Sequence, residues 1–180
     1  MSLAKPAAAD PVKLFVAILW APAAPLQSAL EKLIHQWGEI DFSGAAHPFD
    51  ATGYYEPEMG GNLSRRLVSF ARLVPPETLV EAKHFCNRVE DSLSGPDGRL
   101  VNLDAGYLDH NKIVLASFKG AGQKIFLMQG VWADLVARYR AGRYAPFEWT
   151  FPDFRDGRYD QELLEIRRIY LVQLRQAAKH

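Results

Sequence analysis

The side chains best suited to chemistry are concentrated in residues 47–66, whose sequence is HPFDATGYYEPEMGGNLSRR. The carboxylates and guanidinium groups of this stretch belong to Asp50, Glu56, Glu58, Arg65 and Arg66. Carboxylates that gather at one point can hold a hard divalent cation or act as a general acid and base. Arginines can pair with such carboxylates or bind an anionic ligand. The stretch therefore predicts either a ligand site or a carboxylate-based reaction centre.

The same stretch has no clear hydrophobic periodicity over about 20 residues, and loops of this length are often functional or disordered. Three aromatic residues, Phe49, Tyr54 and Tyr55, favour an ordered loop that packs on the domain. Tyr54 and Tyr55 are therefore candidate ligand contacts. A structural cap, with solvated carboxylates and with tyrosine rings over the core, explains the composition equally well.

A second candidate site lies in VNLDAGYLDH, residues 101–110. Asn102, Asp104 and Tyr107 are predicted at the end of a strand that turns through Gly106, and a carboxylate placed there can project into a cleft. The alternative, which we favour, is a turn in which Asp104 hydrogen-bonds its own backbone.

A third candidate site surrounds Pro152 and contains Glu148, Trp149, Asp153 and Arg155. These residues could supply a carboxylate and an aromatic platform for a planar or sugar ligand. The alternative, which we favour for Trp149, is a place in the core, because large aromatic residues dominate burial. Asp153 could equally cap the last helix.

Histidine and cysteine give weaker signals. His47 and His110 could join Asp50 or Asp104 at a metal or proton-transfer site, although no H-x-H or HExxH spacing supports one. The sequence predicts no specific cofactor. The carboxylates suggest only a divalent cation as a possible one. Cys86 lies on the apolar face of a predicted helix, which indicates a buried thiol rather than a nucleophile.

The overall composition narrows the class of protein. The 180 residues are 48% hydrophobic and include 21 basic and 21 acidic residues, so the formal net charge is zero. General nucleic-acid binding relies on a basic excess that neutralises phosphates, and the balanced charge argues against it. The start of the sequence lacks a signal peptide, and no apolar run approaches about 18 residues. We therefore predict a cytoplasmic protein that does not enter a membrane.

Hydrophobic periodicity predicts the elements that must position these residues. Residues 1–11 are predicted to be a disordered lead-in, and residues 12–180 a single α+β domain. The first part of this domain follows the order strand, helix, strand, strand, helix, strand. The corresponding ranges are 12–19, 26–37, 40–45, 66–74, 77–93 and 99–103. This is the order of a ferredoxin-like βαββαβ core.

The second part is predicted to extend that core with an antiparallel β-meander and a C-terminal helix. The four meander strands span 112–118, 123–128, 131–139 and 144–150. Residues 131–139 satisfy both helical and strand periodicity, and we interpret them as a strand. Regular structure is not expected through Pro152, and the last helix begins at Asp160.

Several strings resemble those of one protein family and occur in the same order. They are VKLFVAIL, PFDATGYYEPEMGGNLSRR, LVSFARLVPPETL, VNLDAGYL and EWTFPDFR, with IRRIY in the last helix. From Val12 onward, the sequence resembles domain-of-unknown-function family 4416, an uncharacterised bacterial and archaeal family. The resemblance implies no functional residues, because none is established for that family.

Members of that family often carry the label GTP-binding protein, but the sequence argues against a P-loop. A P-loop requires Gly-x-x-x-x-Gly-Lys-Ser/Thr, and the sequence contains no such string. The nearest glycine-rich stretch, KGAGQK at 119–124, has the wrong spacing and lacks the hydroxyl residue. Asn111 and Lys112 resemble the start of a guanine-reading Asn-Lys-x-Asp motif, but Val114 takes the place of the acid.

Three functions remain open from the sequence. The first is a small-ligand binding or regulatory domain, in which residues 47–66 cover a sheet face lined by tyrosines. The second is an enzyme that uses the carboxylates of that stretch and Asp104, with or without a divalent cation, on a phosphate or nucleotide-like substrate. The third is a scaffold whose exposed aromatic residues bind another protein. The sequence specifies neither a reaction nor an oligomeric state.

Overall fold

The computed structural model describes residues 5–96 and 98–177. The strands are β1 (Lys13–Trp20), β2 (Ile40–Ser43), β3 (His47–Pro48), β4 (Ser64–Phe70), β5 (Val101–Leu108), β6 (Lys112–Ser117), β7 (Ile125–Met128), β8 (Val131–Arg140) and β9 (Arg143–Pro146). The helices are α1 (Leu26–Trp37), α2 (Glu56–Met59), α3 (Thr78–Ser92), α4 (Pro152–Arg155) and α5 (Asp160–Ala177). Within these ranges, no helix has both the length and the apolar character needed to cross a membrane.

Several predicted elements are confirmed close to their predicted bounds. Helix α1 ends where Gly38 adopts a positive φ of 85°, a conformation that glycine reaches without steric cost. Residues 131–139 lie in the strand β8, and α5 begins at Asp160. Of the predicted lead-in, residues 1–4 lie outside the described residues, and residues 5–11 contain no helix or strand.

The nine strands form one sheet in which neighbouring strands are antiparallel. The order is β2-β4-β1-β5-β6-β8-β7, and in addition β3 pairs with β4 and β9 with β8. The architecture is thus mixed α and β, with a large antiparallel sheet and a C-terminal helix. Strand β1 is buried over nearly its whole length, as predicted for a strand covered on both faces.

Helices cover both faces of the sheet. Val16 and Ile18 of β1 share a buried cluster with Cys86 of α3, on the face that α1 and α3 cover. Phe15 points to the opposite face and shares a second cluster with Ile166 of α5. Successive side chains of a strand point to opposite faces, so a strand between two helical layers is apolar at most positions. This explains the mostly apolar string VKLFVAIL, whose one charged residue, Lys13, is buried and pairs with Asp41.

Strand β5 is longer than predicted, because it runs to Leu108 instead of ending at residue 103. Asn102, Asp104 and Tyr107 therefore lie within a strand, and the turn that we favoured for Asp104 is wrong. The physical reason is the pairing with β1, which extends over eight residues of β5. This long ladder outweighs the turn preference of the Asp-Ala-Gly sequence.

Three other predictions also need correction. The strands after β5 do not follow one another as a simple meander, because β8 lies beside β6 and pairs with β7 and β9 on its other edge. Pro152 begins the helical turn α4, at a position where its missing N–H costs no hydrogen bond. Strand β4 spans Ser64–Phe70 instead of 66–74.

Strands β5 and β6 diverge toward one end of the sheet. They pair only through Gly106, Tyr107 and Leu108 of β5. On the side of β6, residues Val101–Ala105 pair with no strand in the described part of the chain. The pairing begins at Gly106, where a Cβ atom would lie 2.6 Å from the side chain of Leu115. Beyond this point the divergence opens a cleft in the sheet.

Candidate functional site

The cleft between β5 and β6 has a volume of about 530 Å³, a size typical of small-ligand sites. Because the two strands separate here, side chains from both faces of the sheet reach it. The cations in its lining are Arg65, Lys83, Arg99, Lys119 and Lys124. The carboxylates are Glu58, Glu90, Asp104 and Asp134, and the aromatic rings are Tyr54, Tyr55, Phe118 and Phe151.

One wall of the cleft is a polar stripe on α3. Lys83, Asn87 and Glu90 lie at i, i+4 and i+7, so they share one face of the helix. Glu90 is buried and accepts hydrogen bonds from the backbone N–H of Leu103 at 2.6 Å and from Arg99 at 3.0 Å. Its carboxylate thus binds the edge of β5 where a neighbouring strand is missing. Desolvation raises the pKa of Glu90, and the nearby charge of Lys83 opposes this shift.

Lys83 lines the cleft without a direct hydrogen-bond or ion-pair partner among the described residues. The residue is only 8% exposed, yet it makes neither a hydrogen bond nor an ion pair with any side chain or backbone group in residues 5–96 and 98–177. The ring of Phe118 lies beside it, with its centroid 5.3 Å from Nζ. The ammonium group therefore lies at the cleft beside an aromatic ring, and the nearby carboxylate of Glu90, which is engaged by Arg99, does not form an ion pair with it.

Lys119 forms a similar arrangement on the β6–β7 connection. Its Nζ donates a hydrogen bond to the hydroxyl of Tyr54 at 2.5 Å and lies 5.3 Å from the centroid of that ring. No carboxylate in the described residues lies within ion-pair distance of Lys119. Lys124, by contrast, lies 3.6 Å from Asp134. Two of the five cations in the lining thus have no acidic partner.

Arg65 of β4 anchors the deep side of the cleft. It is buried and donates hydrogen bonds to Asp153 at 2.7 Å and to Asp104 at 3.0 Å. Tyr159 donates a further hydrogen bond to Asp153 at 2.9 Å, and the ring of Phe49 lies 4.7 Å from the guanidinium carbon. Burial lowers the pKa of Arg65, but the charges of Asp104 and Asp153 outweigh it, so the pKa lies above its usual value.

Asp104 presents one free carboxylate oxygen. Its Oδ2 accepts hydrogen bonds from Arg65 at 3.0 Å and from the side-chain amide of Asn102 at 2.9 Å. Its Oδ1 accepts none from the described residues, although the side chain lines the cleft. A carboxylate that is fixed through one oxygen and free at the other is suited to accept a hydrogen bond, or a proton, from a ligand.

The structure brings together half of the predicted site residues. Those that line the cleft are Tyr54, Tyr55, Glu58, Arg65, Asn102 and Asp104. Asp153 lies beneath them, completely buried against Arg65, and does not cap the last helix. Residues 47–66 form an ordered segment, in which Phe49 and Met59 share a buried cluster with Leu19.

The remaining candidates lie elsewhere. Asp50 pairs with Arg158 at 2.8 Å, and Glu56 is exposed outside the cleft. Arg66 lies over the ring of Trp20, and Tyr107 packs against the core on the α3 face. Two candidates beside Pro152 are solvent-facing, namely Glu148 and Trp149. The favoured core position of Trp149 is therefore wrong, because its ring stacks on Phe147 at the surface.

The structure does not assemble the metal site that the carboxylates suggested. Within the described ranges, no three His, Cys, Asp or Glu side chains are placed to hold a metal ion. Glu58 instead pairs with Arg99 at 2.7 Å, and His47 with Glu162 at 2.8 Å. The ring of His110 packs against Tyr170. Cys86 is buried as predicted, and burial raises the pKa of its thiol.

Seven charged or amide residues of the cleft were not predicted from the sequence. They are Lys83, Asn87, Glu90, Arg99, Lys119, Lys124 and Asp134. A signal for three of them was present, because Lys83, Asn87 and Glu90 form a polar stripe next to the apolar face of a predicted helix. The others approach one another only through the sheet pairing, which periodicity does not specify.

Comparison with known proteins identifies a family for the chain but no activity. A family model described as Domain of unknown function (DUF4416) matches residues 10–170. No curated protein and no solved structure is significantly similar to the chain.

Proposed function

Because the chain belongs to the family described as Domain of unknown function (DUF4416), whose description names no activity, we propose a function from the cleft itself. The protein is a small-molecule binding domain, and the cleft between β5 and β6 holds an anionic ligand. This corresponds to the first of the three functions that the sequence left open. The zero formal net charge supports a small ligand in preference to a nucleic acid.

The unpaired ammonium group of Lys83 is the observation that carries this proposal. A charge taken partly out of water loses hydration, and the loss is compensated when an opposite charge lies beside it. The described part of the protein supplies no such charge within ion-pair distance of Lys83. An anionic group of the ligand, placed beside Phe118 and Lys83, provides the direct ion pair that Glu90 does not form.

The other groups of the cleft define what else the ligand carries. Lys119 is a second cation without an acidic partner, so a ligand with two negative charges, such as a phosphate monoester or a dicarboxylate, matches the pair. Tyr54 and Phe118 line the cleft beside these lysines, so their rings can contact an apolar or planar part of the ligand. The free Oδ1 of Asp104 accepts a hydrogen bond from a hydroxyl or amino group. These features together favour a phosphorylated or dicarboxylic molecule with hydrogen-bond donors.

Substitution of Lys83 by methionine tests the proposal. Methionine keeps the unbranched apolar stem but removes the charge, so we expect roughly 10–100-fold weaker binding of an anionic ligand. Inorganic phosphate, succinate and adenosine monophosphate are suitable first probes, screened by thermal shift and measured by calorimetry. The ligand-free variant should lose little stability, because Lys83 makes no hydrogen bond or ion pair with the described residues and only its longer-range attraction to Glu90 is removed.

Lys32→Met provides the matched control. Lys32 is exposed on α1 and does not line the cleft. This variant should bind the same ligand with unchanged affinity. Equal affinity of the Lys83→Met variant and the wild type, or the failure of every anionic probe to bind, would overturn the proposal.

A second candidate function is catalysis with Asp104 as a general base, and the free Oδ1 of this residue favours it. Asn102 and Arg65 fix the other oxygen, so the orientation of the carboxylate is preset. An Asp104→Asn variant can keep these hydrogen bonds through its amide oxygen. If the protein is an enzyme, turnover of a bound ligand should fall by about 100-fold or more while its affinity changes little. Time-resolved NMR of the ligand with both proteins measures this, and an unchanged ligand excludes catalysis on it.

We also propose that residues 12–180 are one domain with a ferredoxin-like core. The order β1, α1, β2, β4, α3, β5 follows the βαββαβ pattern if the short elements β3 and α2 are counted as an insertion. The spatial order β2-β4-β1-β5 supports this assignment. The cleft then lies at the junction between the core and the strands that extend it.

A further inference from the structure

The charged residues of the cleft are segregated between its two sides. Three lysines lie around the end of β6, namely Lys83, Lys119 and Lys124. Lys83 lies beside the ring of Phe118, and Lys124 donates a hydrogen bond to the hydroxyl of Ser117 at 3.0 Å. Among the described residues, Asp134 is the one carboxylate within ion-pair distance of any of these lysines. We call this part of the cleft the lysine side, and its net charge is positive.

The β5 side of the cleft has the opposite balance around Arg65. This guanidinium donates hydrogen bonds to both Asp104 and Asp153, and the described residues place no other cation within ion-pair distance of either carboxylate. An arginine keeps its single positive charge in a protein. With both carboxylates ionised, the group of three therefore carries one negative charge in excess. We call this part of the cleft the carboxylate side.

A second group on the carboxylate side is closer to neutral. Arg99 also serves two carboxylates, those of Glu58 and Glu90. The charge of Lys83 acts on Glu90, because it opposes the rise in the pKa of that carboxyl which burial causes. Part of the negative excess around Arg99 is thus offset from α3. The negative excess around Arg65 is the one that a ligand can balance best.

Asp104 presents that negative excess to the cleft. Asp153 is completely buried, whereas the side chain of Asp104 is 20% exposed and lines the cleft. Arg99 donates a hydrogen bond to Oδ1 of Asn102 at 2.8 Å, so the amide nitrogen of Asn102 faces Oδ2 of Asp104. This arrangement fixes the carboxylate and leaves its Oδ1 for a ligand. A hydroxyl group could donate to Oδ1, but only a cation also offsets the excess charge.

We infer that the ligand of the cleft is a phosphorylated primary amine, with its phosphate on the lysine side and its ammonium group at Oδ1 of Asp104. This inference rests on the proposed function and adds a positive charge to the ligand. A phosphate monoester carries about 1.5–2 negative charges at pH 7, which matches the unpaired charges of Lys83 and Lys119. An ammonium group brings three donors and the charge that Asp104 requires.

The separation of the two sides sets the length of the ligand. Lys83 and Glu90 are seven residues apart on α3, which corresponds to about 10 Å along the helix axis. The first lies beside Phe118 on the lysine side, and the second binds the backbone of β5 on the carboxylate side. A chain of several atoms between the phosphate and the ammonium group is therefore needed to reach both sides.

Calorimetry with two pairs of probes tests the inference on the wild-type protein. The pairs are 2-aminoethyl phosphate with propyl phosphate, and 4-aminobutyl phosphate with pentyl phosphate. Within each pair a methyl group replaces the ammonium group, while the phosphate and the chain length stay the same. In at least one pair, the amine should bind at least about tenfold more tightly, because a hydrogen bond between two charged groups is much stronger than a neutral contact.

Three variants assign the preference for the amine to Asp104. Asp104→Asn keeps the shape of the side chain, so the affinity for the alkyl phosphates should hardly change, but the preference should fall below about threefold. Lys83→Met should weaken both members of a pair by the same factor. Asp134→Asn is the matched control, because it removes a carboxylate from the lysine side and should leave the preference intact. Circular dichroism checks that each variant is folded.

The outcomes separate this inference from the proposed function. Equal binding of the amine and its methyl counterpart in both pairs would overturn the inference, although the anion site would stand. A preference for the amine that persists in Asp104→Asn would overturn it as well. If no phosphate binds to the wild type, both the proposed function and the inference fail.

Discussion

Replacing Asp153 by alanine is expected to lower the free energy of unfolding by about 3–5 kcal/mol, the usual cost of breaking a buried ion pair from one side. Asp153 is completely buried and accepts hydrogen bonds from Arg65 and Tyr159. Without it, Arg65 would remain buried with Asp104 as its one carboxylate partner. Urea denaturation should show a lower midpoint with an unchanged slope.

Two comparisons separate this effect from a simple loss of surface charge. Asp50→Ala also removes a carboxylate that pairs with an arginine, but Asp50 is exposed, so the midpoint should hardly move. In an Arg65→Met background, the Asp153→Ala change should cost much less, because no buried charge is left behind. An equal cost in both backgrounds would show that Asp153 acts through Tyr159 or packing instead.

Replacing Gly106 by alanine is expected to cost about 1–3 kcal/mol of stability, the typical penalty of overpacking. The added Cβ would lie 2.6 Å from Leu115 Cδ2 and 2.7 Å from the carbonyl oxygen of Val114. The leucine side chain can rotate, but the backbone oxygen cannot move without displacing β6. Thermal and urea denaturation measure the loss.

The same change should also alter the cleft, because Gly106 is the first residue at which β5 and β6 pair. A displaced β6 carries Ser117 and the adjoining residues away from β5, so the affinity for an anionic probe should fall. Gly61→Ala is the matched control, because open space surrounds that position, and its stability should change by no more than about 0.5 kcal/mol. If Gly106→Ala were as stable as this control, the close approach of the strands would be more adaptable than their geometry indicates.

Local sequence signals predicted the elements of the fold better than their arrangement. The apolar string of β1 and the glycine after α1 predicted both elements, because burial and backbone conformation act within a few residues. The extent of β5 was missed, since its second half is stabilised by pairing with β1, about 90 residues earlier in the chain. The pairing of β8 with β6 likewise joins segments that are not adjacent in the sequence, so local signals do not predict it.

The candidate site was only partly predicted, because contacts between residues that are distant in sequence also assemble this site. Arg65, Asp104 and Asp153 were each singled out as reactive residue types, but the sequence does not indicate that one arginine joins the two carboxylates. Asp50 and Glu56 had equally suitable side chains, and the fold places them outside the cleft. Residue type restricts what a side chain can do, whereas strand order decides which side chains meet.

The packing of α5 on β1 has a consequence for the synthesis of the protein on the ribosome. Strand β1 ends at Trp20, whereas α5, which covers Phe15, begins at Asp160. Translation at 5–20 residues per second separates the two elements by roughly 7–30 s. During that interval one apolar face of the first strand lacks its native cover, so we expect this face to be where chaperones that bind exposed apolar segments contact the nascent chain.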